Sequence, residues 1–557
     1  MSKKASYCSG YADEPLIGLT VGEVLDDAVA NYPDDELLVS VHQGLRYTYR
    51  EFNQVCTQVA KGLVGLGIET GDNIAIWATN RAEWMITQFA VAKIGATLVT
   101  INPAYRAYEL EYALNLSEST VLILIDQYKT SDYINMFYEV CPEAKDAKER
   151  EIRSEKLPFL KSAVVMGEKG YPGMLSWGEL VEMGKSVSDS QLIQRQNSLD
   201  IDDPAYLLFT SGTTGSPKAV VLTHHNIVNN SRFAARRMGF RARDRVCICL
   251  PLFHIFGVAT CLECVANGAT AVLSSEYFDA HVALDTIDKE KCTILSGVPT
   301  MFTAELDCPD FDRFDLSSLR GGLMGGAPCH PDMVRKVMNL MHTRDILIGY
   351  GLTEVAGGLT ITQRDDTLEH RLETVGTPFP YLEVKIISPE TKAIVPRGEQ
   401  GEICCRGFTV MKEYYKNAEA TAAQIDRDGW LHTGDLATMD EDGYVRLTGR
   451  LKDMIIRGGE NIYPVEIESF LLTNPKISEA QIIGVPDAVL GEELYAWIKL
   501  KHGESATEDE LKEFCKGKIA HYKIPRYFRF VDEFPMTASG KILKAEMRRV
   551  TTEELIL

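Results

Sequence analysis

The stretch AYLLFTSGTTGSPKAVVLTH, residues 205–224, concentrates groups that can hold a phosphate. Gly212 and Gly215 let backbone N–H groups turn inward on an oxyanion, Ser211, Thr213 and Thr214 add hydroxyls beside that of Thr210, and Lys218 adds charge. The spacing is not the G-x-x-x-x-G-K-[ST] pattern that opens a helix in P-loop proteins. Residues 206–209 read instead as a strand, the polar run as a loop, and residues 219–223 as a second strand. A plain hairpin loop accounts for the glycines, but not for four hydroxyls and a lysine together. A second cation, Lys541, follows the turn-rich segment PMTASG, which can project one side chain; a lysine near a chain end is otherwise solvated surface. Glu354 closes GYGLTE and by itself reads as a charge at a helix N-terminus. Asp435 closes GWLHTGD and by itself is equally an Asx turn or a ligand contact.

The 205–224 stretch is very similar to the phosphate-binding signature of the adenylate-forming superfamily, which includes acyl-CoA synthetases, peptide-synthetase adenylation domains and beetle luciferases. Further motifs of that family follow in order, the whole covering roughly residues 40–545: PLFHIFG (251–257), GGAPC (325–329), GYGLTE (349–354), GEICCRG (401–407), GWLHTGD (429–435), GYVRLTGRLKDMIIRGGENIYPVEIE (443–468) and PMTASGK (535–541). One such string is weak evidence; eight in order are strong.

The resemblance implies that a carboxylate attacks the α-phosphorus of ATP in line and expels pyrophosphate, and that the thiol of coenzyme A then attacks the acyl-adenylate. Such chemistry is mostly positioning and charge neutralisation. By the same resemblance Glu354 is the carboxylate that holds Mg2+, a hard cation bridging phosphates, with Thr353 beside it reaching a phosphate or carboxylate oxygen. Tyr350 would lie flat on adenine, and the backbone of Gly325, Gly326, Ala327 and Pro328 would line the adenine slot, where glycine permits close approach. Asp435 would accept from both ribose hydroxyls and Arg450 would reach the ribose side. Lys541 would contact the carboxylate and α-phosphate oxygens during adenylation only. Lys452 matches the hinge about which a small domain rotates between half-reactions, bringing Gly459 to the pantetheine channel. No cysteine need be catalytic, because the nucleophilic sulfur belongs to coenzyme A.

The family pattern puts the acyl group among Phe253, His254, Phe256, Gly257, Val258, residues 297–302, Met324, Gly349, Gly351, Leu352, Val355 and Ala356, mostly apolar as small-molecule pockets are. His254 stands where amino-acid-activating domains carry an aspartate, and either gates the carboxylate or fills the wall. No arginine or lysine lies in these segments, which counts against a dicarboxylate, and no tryptophan blocks the pocket as in acetyl-CoA synthetases. The motif wording is most similar to medium-chain acyl-CoA synthetases, so the expected small-molecule substrate is a medium-chain fatty acid, or an alicyclic or aromatic acid of similar bulk. Alternatives are transfer of the acyl group to a carrier protein, luciferase-like oxidation of the adenylate, and a non-catalytic nucleotide-binding protein. The presence of Lys218, Glu354, Asp435, Arg450 and Lys541 together disfavours the last.

The elements that must position these groups are legible as alternation. NIAIWATN (73–80) reads as a strand, RAEWMITQFAVAKIG (81–95) as an amphipathic helix and ATLVTINP (96–103) as the next strand. ALNLSES (113–119), TVLILID (120–126) and SAVVMG (162–167) continue the cycle of a layered α/β fold with a parallel sheet. The charge run at 143–157 reads as a solvated helix or loop. From about residue 382 short strands and turns suggest a β-rich lobe. We therefore expect an α/β protein: a large N-terminal domain, 1–451, of layered α/β subdomains plus that lobe, and a small mobile α+β C-terminal domain, 452–557.

Composition bounds the partners. Of 557 residues, 45% are hydrophobic and 25% charged, ordinary for a globular chain with a large core. With 58 Lys+Arg against 79 Asp+Glu the formal charge is −21, which disfavours nucleic acid and anionic membranes. Thirteen cysteines without a framework fit free thiols in a reducing compartment; Cys261 and Cys264 lack a second C-x-x-C, and Cys404-Cys405 reads as strand filling. No secretory signal or run of roughly 20 apolar residues is present, so the expected location is cytoplasmic. A homo-oligomer stays open.

Overall fold

The apolar runs between residues 73 and 165 form the centre of an eight-stranded sheet. Its order is Leu175–Ser176, Ser162–Val165, Val121–Leu124, Asn73–Trp77, Thr97–Thr100, Pro204–Thr210, Lys218–Thr223 and Glu413–Tyr414. The first six strands are parallel neighbours and the last two antiparallel. The computed structural model describes residues 4–12, 14–147, 151–210, 217–457, 460–487, 489–537 and 540–556.

The helix expected at 81–95 forms as Ala82–Lys93, but it is not amphipathic: every residue except Glu83 is buried. It is packed against the helices Val21–Asn31 and Tyr49–Gly65 and against the sheet, so no face meets water. Lys93 is only 3% exposed and is tolerated because its Nζ donates to Asp26 Oδ1 at 2.6 Å. The next helix, Ala107–Leu116, starts earlier than the 113–119 string suggested. In the charge run, Glu151, Arg153 and Glu155 are exposed as expected, yet Ile152 and Leu157 are buried and anchor the segment to the core.

A second, nine-stranded sheet runs Thr377–Pro378, Thr360–Ile361, Asp345–Tyr350, Gly321–Gly325, Ile294–Ser296, Arg245–Ile248, Thr270–Leu273, Glu36–Ser40 and Leu45–Thr48, parallel through its middle. The strands after residue 382 make an antiparallel lobe of Leu382–Ile387, Gly401–Gly407, Leu431–Met439 and Val445–Arg450. Its edge is completed by Tyr7–Ser9 from the other end of the chain, a pairing no local pattern announces. Beyond Arg450 the chain builds a separate five-stranded sheet around the Ile477–Asp487 and Gly491–Leu500 hairpin, with its own apolar clusters.

One continuous core joins the first sheet, its helices and the lobe, with Trp77, Trp84, Phe52 and Phe89 fully inside. Each such side chain contributes about 2–3 kcal/mol on leaving water. That shared core fixes where several strands end.

Candidate functional site

Parallel strands all point their carboxyl ends the same way, and ligands of open α/β sheets bind beyond those ends. Here Thr100, Thr210, Gly325 and Tyr350 each terminate a strand, and all four line one cavity of about 950 Å³. The antiparallel lobe contributes Asp435 and Arg450, the hairpin Lys218, and the C-terminal sheet region Thr537 and Lys541. Four segments far apart in sequence thus meet around one space.

The phosphate-loop candidates divide. Thr210 and Lys218 pair across the hairpin mouth in register and line the cavity, whereas Ser211, Gly212, Thr213, Thr214 and Gly215 lie outside the described residues. The Lys218 ammonium sits 4.7 Å above the Tyr414 ring. Tyr414 in turn donates its hydroxyl to Glu354 Oε1 at 2.8 Å, so one aromatic side chain links the cation to the carboxylate. Glu354 presents that carboxylate to the cavity next to Thr353. Hard oxygen donors of this kind suit Mg2+, so the donor set fits the ion the family implies.

Asp435 and Arg450 are cross-strand partners. Arg450 Nε lies 2.9 Å from Asp435 Oδ1, and the buried Tyr350 hydroxyl donates to Asp435 Oδ2 at 2.6 Å. The adjacent carboxylate holds the Arg450 pKa above its usual value, while burial first and Asp435 second raise that of Tyr350. Each Asp435 oxygen retains a lone pair for a further donor. Gly325 and Gly326 line the cavity; Gly326 has φ +80°, and a Cβ there would lie 3.2 Å from Val298 Cγ1, so the wall at this point must be glycine. Ala327 is half-buried and Pro328 exposed, and neither lines the cavity.

Lys541 enters the cavity, its Cε 3.9 Å from where a Cβ on Gly326 would stand. Burial and the Arg450 charge lower its pKa, opposed by Asp435 and Glu354. Lys452 is exposed at the rim, its pKa lowered by burial of its ammonium end and by Arg450. Gly459 lies outside the described residues. His254 caps the helix Ile255–Ala266, its Nδ1 accepting from Phe256 N at 3.3 Å. Burial, with Lys541 nearby, pushes its pKa down to about 3. The imidazole is therefore neutral, and with Nδ1 accepting, Nε2 carries the proton.

Of the expected acyl pocket, Phe253, His254, Phe256, Gly349, Gly351 and Leu352 line the cavity. Gly257, Val258, residues 297–302, Met324, Val355 and Ala356 do not; Val258, Met324, Val355 and Ala356 are fully buried core instead. The reason is helical spacing: Phe256 and Ala259 face the cavity, which turns Val258 the other way. Gly351 is where the chain folds back on itself, since a Cβ would fall 1.5 Å from Gly357 O.

Several contributors escaped the sequence reading. Asn230 clamps the GYGLTEVAGG segment, donating to Gly358 O at 2.6 Å and Val355 O at 3.2 Å and accepting from Gly358 N at 3.1 Å. Glu402 accepts from Gly434 N at 3.2 Å, fixing the turn before Asp435. Tyr414 follows the GEICCRG motif closely enough to have been noticed; Thr100, Asn102 and Tyr105, about a hundred residues before the phosphate motif, carry no such signal.

The profile of the AMP-binding enzyme family matches residues 25–415, and that of the AMP-binding enzyme C-terminal domain residues 466–541. The putative acyl-CoA synthetase YngI of Bacillus subtilis (strain 168) is 50% identical over 97% of this chain and 98% of its own. The mitochondrial medium-chain acyl-CoA ligase ACSF2 of Danio rerio is 43% identical over 99% of this chain and 91% of its own. Among solved structures, the anthranilate CoA ligase AuaEII in complex with anthranoyl-AMP superposes with TM-score 0.85 at 28% identity, covering 98% of this chain and 99% of that one. ATP-bound MatB from Rhodopseudomonas palustris gives 0.83 at 27%, covering 97% and 100%. No helix among the described residues is long and apolar enough to cross a membrane.

Proposed function

The chain belongs to the AMP-binding enzyme family as an AMP-forming acyl-CoA ligase, and from that premise we propose that it activates a medium-chain or ring-bearing carboxylic acid through the residues gathered in the 950 Å³ cavity. The observation that carries the proposal is the meeting of Lys541 with Glu354, Asp435, Arg450 and Lys218 around one space.

In the first half-reaction a carboxylate oxygen of the acid attacks the α-phosphorus of ATP and pyrophosphate leaves. Lys218 and Thr210 hold the phosphate chain, with residues 211–217 between them. Asp435 accepts from the ribose hydroxyls while Tyr350 and Arg450 hold its carboxylate still. Tyr350 flanks the adenine, and the Gly325–Gly326 backbone lets the base approach. Neutral His254 offers Nε2–H to the acid's carboxylate without competing for the nucleophile's charge as a cation would. Lys541 stabilises the charge that shifts onto the α-phosphate oxygens. Glu354, with Thr353, would hold Mg2+, which would supply neutralisation of phosphate charge.

In the second half-reaction the thiol of coenzyme A attacks the acyl carbonyl, and AMP leaves. The small domain, 452–557, turns about Lys452, withdrawing Lys541 and bringing Gly459 to the thiol's path. The relatives named for medium-chain acids, and a cavity lined in part by the apolar Phe253, Phe256, Ala259 and Leu352, support the substrate class. Thirteen free cysteines support a cytoplasmic setting.

The test is pyrophosphate release with ATP and Mg2+ across acetate, octanoate, palmitate, benzoate and cyclohexanecarboxylate, with and without coenzyme A. A CoA-stimulated maximum at octanoate or a ring acid is expected. A maximum at acetate or palmitate overturns the substrate class, and dependence on an added carrier protein overturns coenzyme A as acceptor.

A further inference from the structure

The helix Ile255–Ala266 lines the cavity with Phe256 and Ala259, and seven residues beyond Phe256 the same face presents Glu263. In sequence this glutamate merely interrupts the most apolar stretch of the chain. In the structure it is 3% exposed, and its Oε2 has no hydrogen-bond partner among the described residues. Thr100, at the end of its strand and 1% exposed, lines the same cavity, and its Oγ1 is also without a partner among the described residues. Glu305 is as deeply buried with an orphaned oxygen, but it does not line the cavity. Glu263 and Thr100 thus combine two properties: orphaned polarity and access to the substrate space.

Buried polar groups left unpaired are costly, and an alkyl chain would leave both as they are. We propose that Glu263 and Thr100 form a subsite for a hydroxyl group near the far end of the acyl substrate, making a hydroxy acid a better substrate than its alkyl counterpart. The inference rests on the ligase reading above and deepens it. His254 sits at the carboxylate end of the cavity and Glu263 nine residues along the helix, or about 13 Å at 1.5 Å per residue. About ten bonds of an extended chain cover that distance, which suits a terminally hydroxylated acid of eight to ten carbons. Burial pushes the Glu263 pKa up to about 8, so near neutrality it is an uncharged carboxyl that both donates and accepts, as a hydroxyl does. An ammonium group would instead require a buried ion pair, whose desolvation cost is high.

The experiment compares octanoate, 8-hydroxyoctanoate and 8-aminooctanoate, and the ten-carbon set, by kcat/KM for pyrophosphate release in the wild-type enzyme, Glu263→Leu and Glu263→Gln. We expect the wild type to favour the hydroxy acid by about 10- to 100-fold over the alkyl acid, a site built around a hydroxyl rejecting the analogue that lacks it. Glu263→Leu should erase or invert that ratio, and Glu263→Gln, which keeps a donor and an acceptor, should retain most of it. A wild-type enzyme that uses octanoate as well as or better than the hydroxy acid overturns the subsite while leaving the ligase reading intact. Preference for the amino acid overturns it in favour of a cation site. Silence with every acid removes the ligase reading, and the subsite with it.

Discussion

Replacing Lys541 with alanine separates the two half-reactions. The ammonium is held in the cavity among Arg450, Asp435 and Glu354, where burial weakens screening. Two unit charges about 4 Å apart at an effective dielectric of about 20 interact by about 4 kcal/mol. Only part of a charge moves onto the α-phosphate oxygens in the transition state, so the differential contribution is about 2–4 kcal/mol. That corresponds to about a 30- to 1000-fold loss in adenylation rate, the range seen when one preorganised donor is removed. Arg450 remains nearby, but Asp435 already engages it at 2.9 Å, so it does not substitute. The assay has two arms: pyrophosphate release from ATP and acid, and thioester formation from supplied acyl-adenylate and coenzyme A, followed by thiol consumption. The first arm should fall by that factor and the second should stay within about twofold, since in the proposed mechanism Lys541 acts only before the small domain turns. Equal loss in both arms refutes the reasoning, because it makes Lys541 a structural or common binding residue.

Three further outcomes are expected. Glu354→Gln keeps the shape facing Tyr414 but removes the anionic ligand, so the Mg2+ concentration for half-maximal rate should rise at least about tenfold; an unchanged Mg2+ titration removes the assignment. Tyr350→Phe deletes the 2.6 Å bond to Asp435 but keeps the ring, and should raise the KM for ATP about fivefold, about 1 kcal/mol, with kcat little changed. His224 is buried, its Nδ1 accepting from Val21 N and its Nε2 unpartnered among the described residues, and burial lowers its pKa from 6.5 to about 4. Below pH 6.5 the unfolded chain takes up a proton there that the folded chain refuses until about pH 4, so this site's stability is full above 6.5 and falls on acidification through that window. Urea titrations should show wild type losing on the order of 3 kcal/mol more than His224→Gln between pH 6.5 and 4; parallel curves would contradict this.

The residue types that do chemistry were legible in the string, because phosphate and ribose recognition needs particular side chains within a few positions of each other. Lys218, Glu354, Asp435, Arg450 and Lys541 were singled out one by one, and all five line the cavity. The strands at Asn73–Trp77, Thr97–Thr100 and Val121–Leu124 were equally plain, since buried parallel strands are short apolar runs. Burial from all sides was not: the helix Ala82–Lys93 carries enough polar residues to look amphipathic, and only its neighbours decide that Gln88 and Lys93 are inside. The pairing of Tyr7–Ser9 with Leu382–Ile387, the clamp of Asn230 on Gly358, and the pairing of Tyr414 with Lys218 and Glu354 arise between segments more than fifty residues apart. Glu263 shows the division most sharply. Sequence marked it as a flaw in an apolar run, and only the packing of that helix makes it line the cavity. Local spacing fixes which groups can react, because it sets side-chain chemistry and helix or strand period. Which of them meet, and what faces the acyl chain, depends on long-range burial, which no window of neighbouring residues contains.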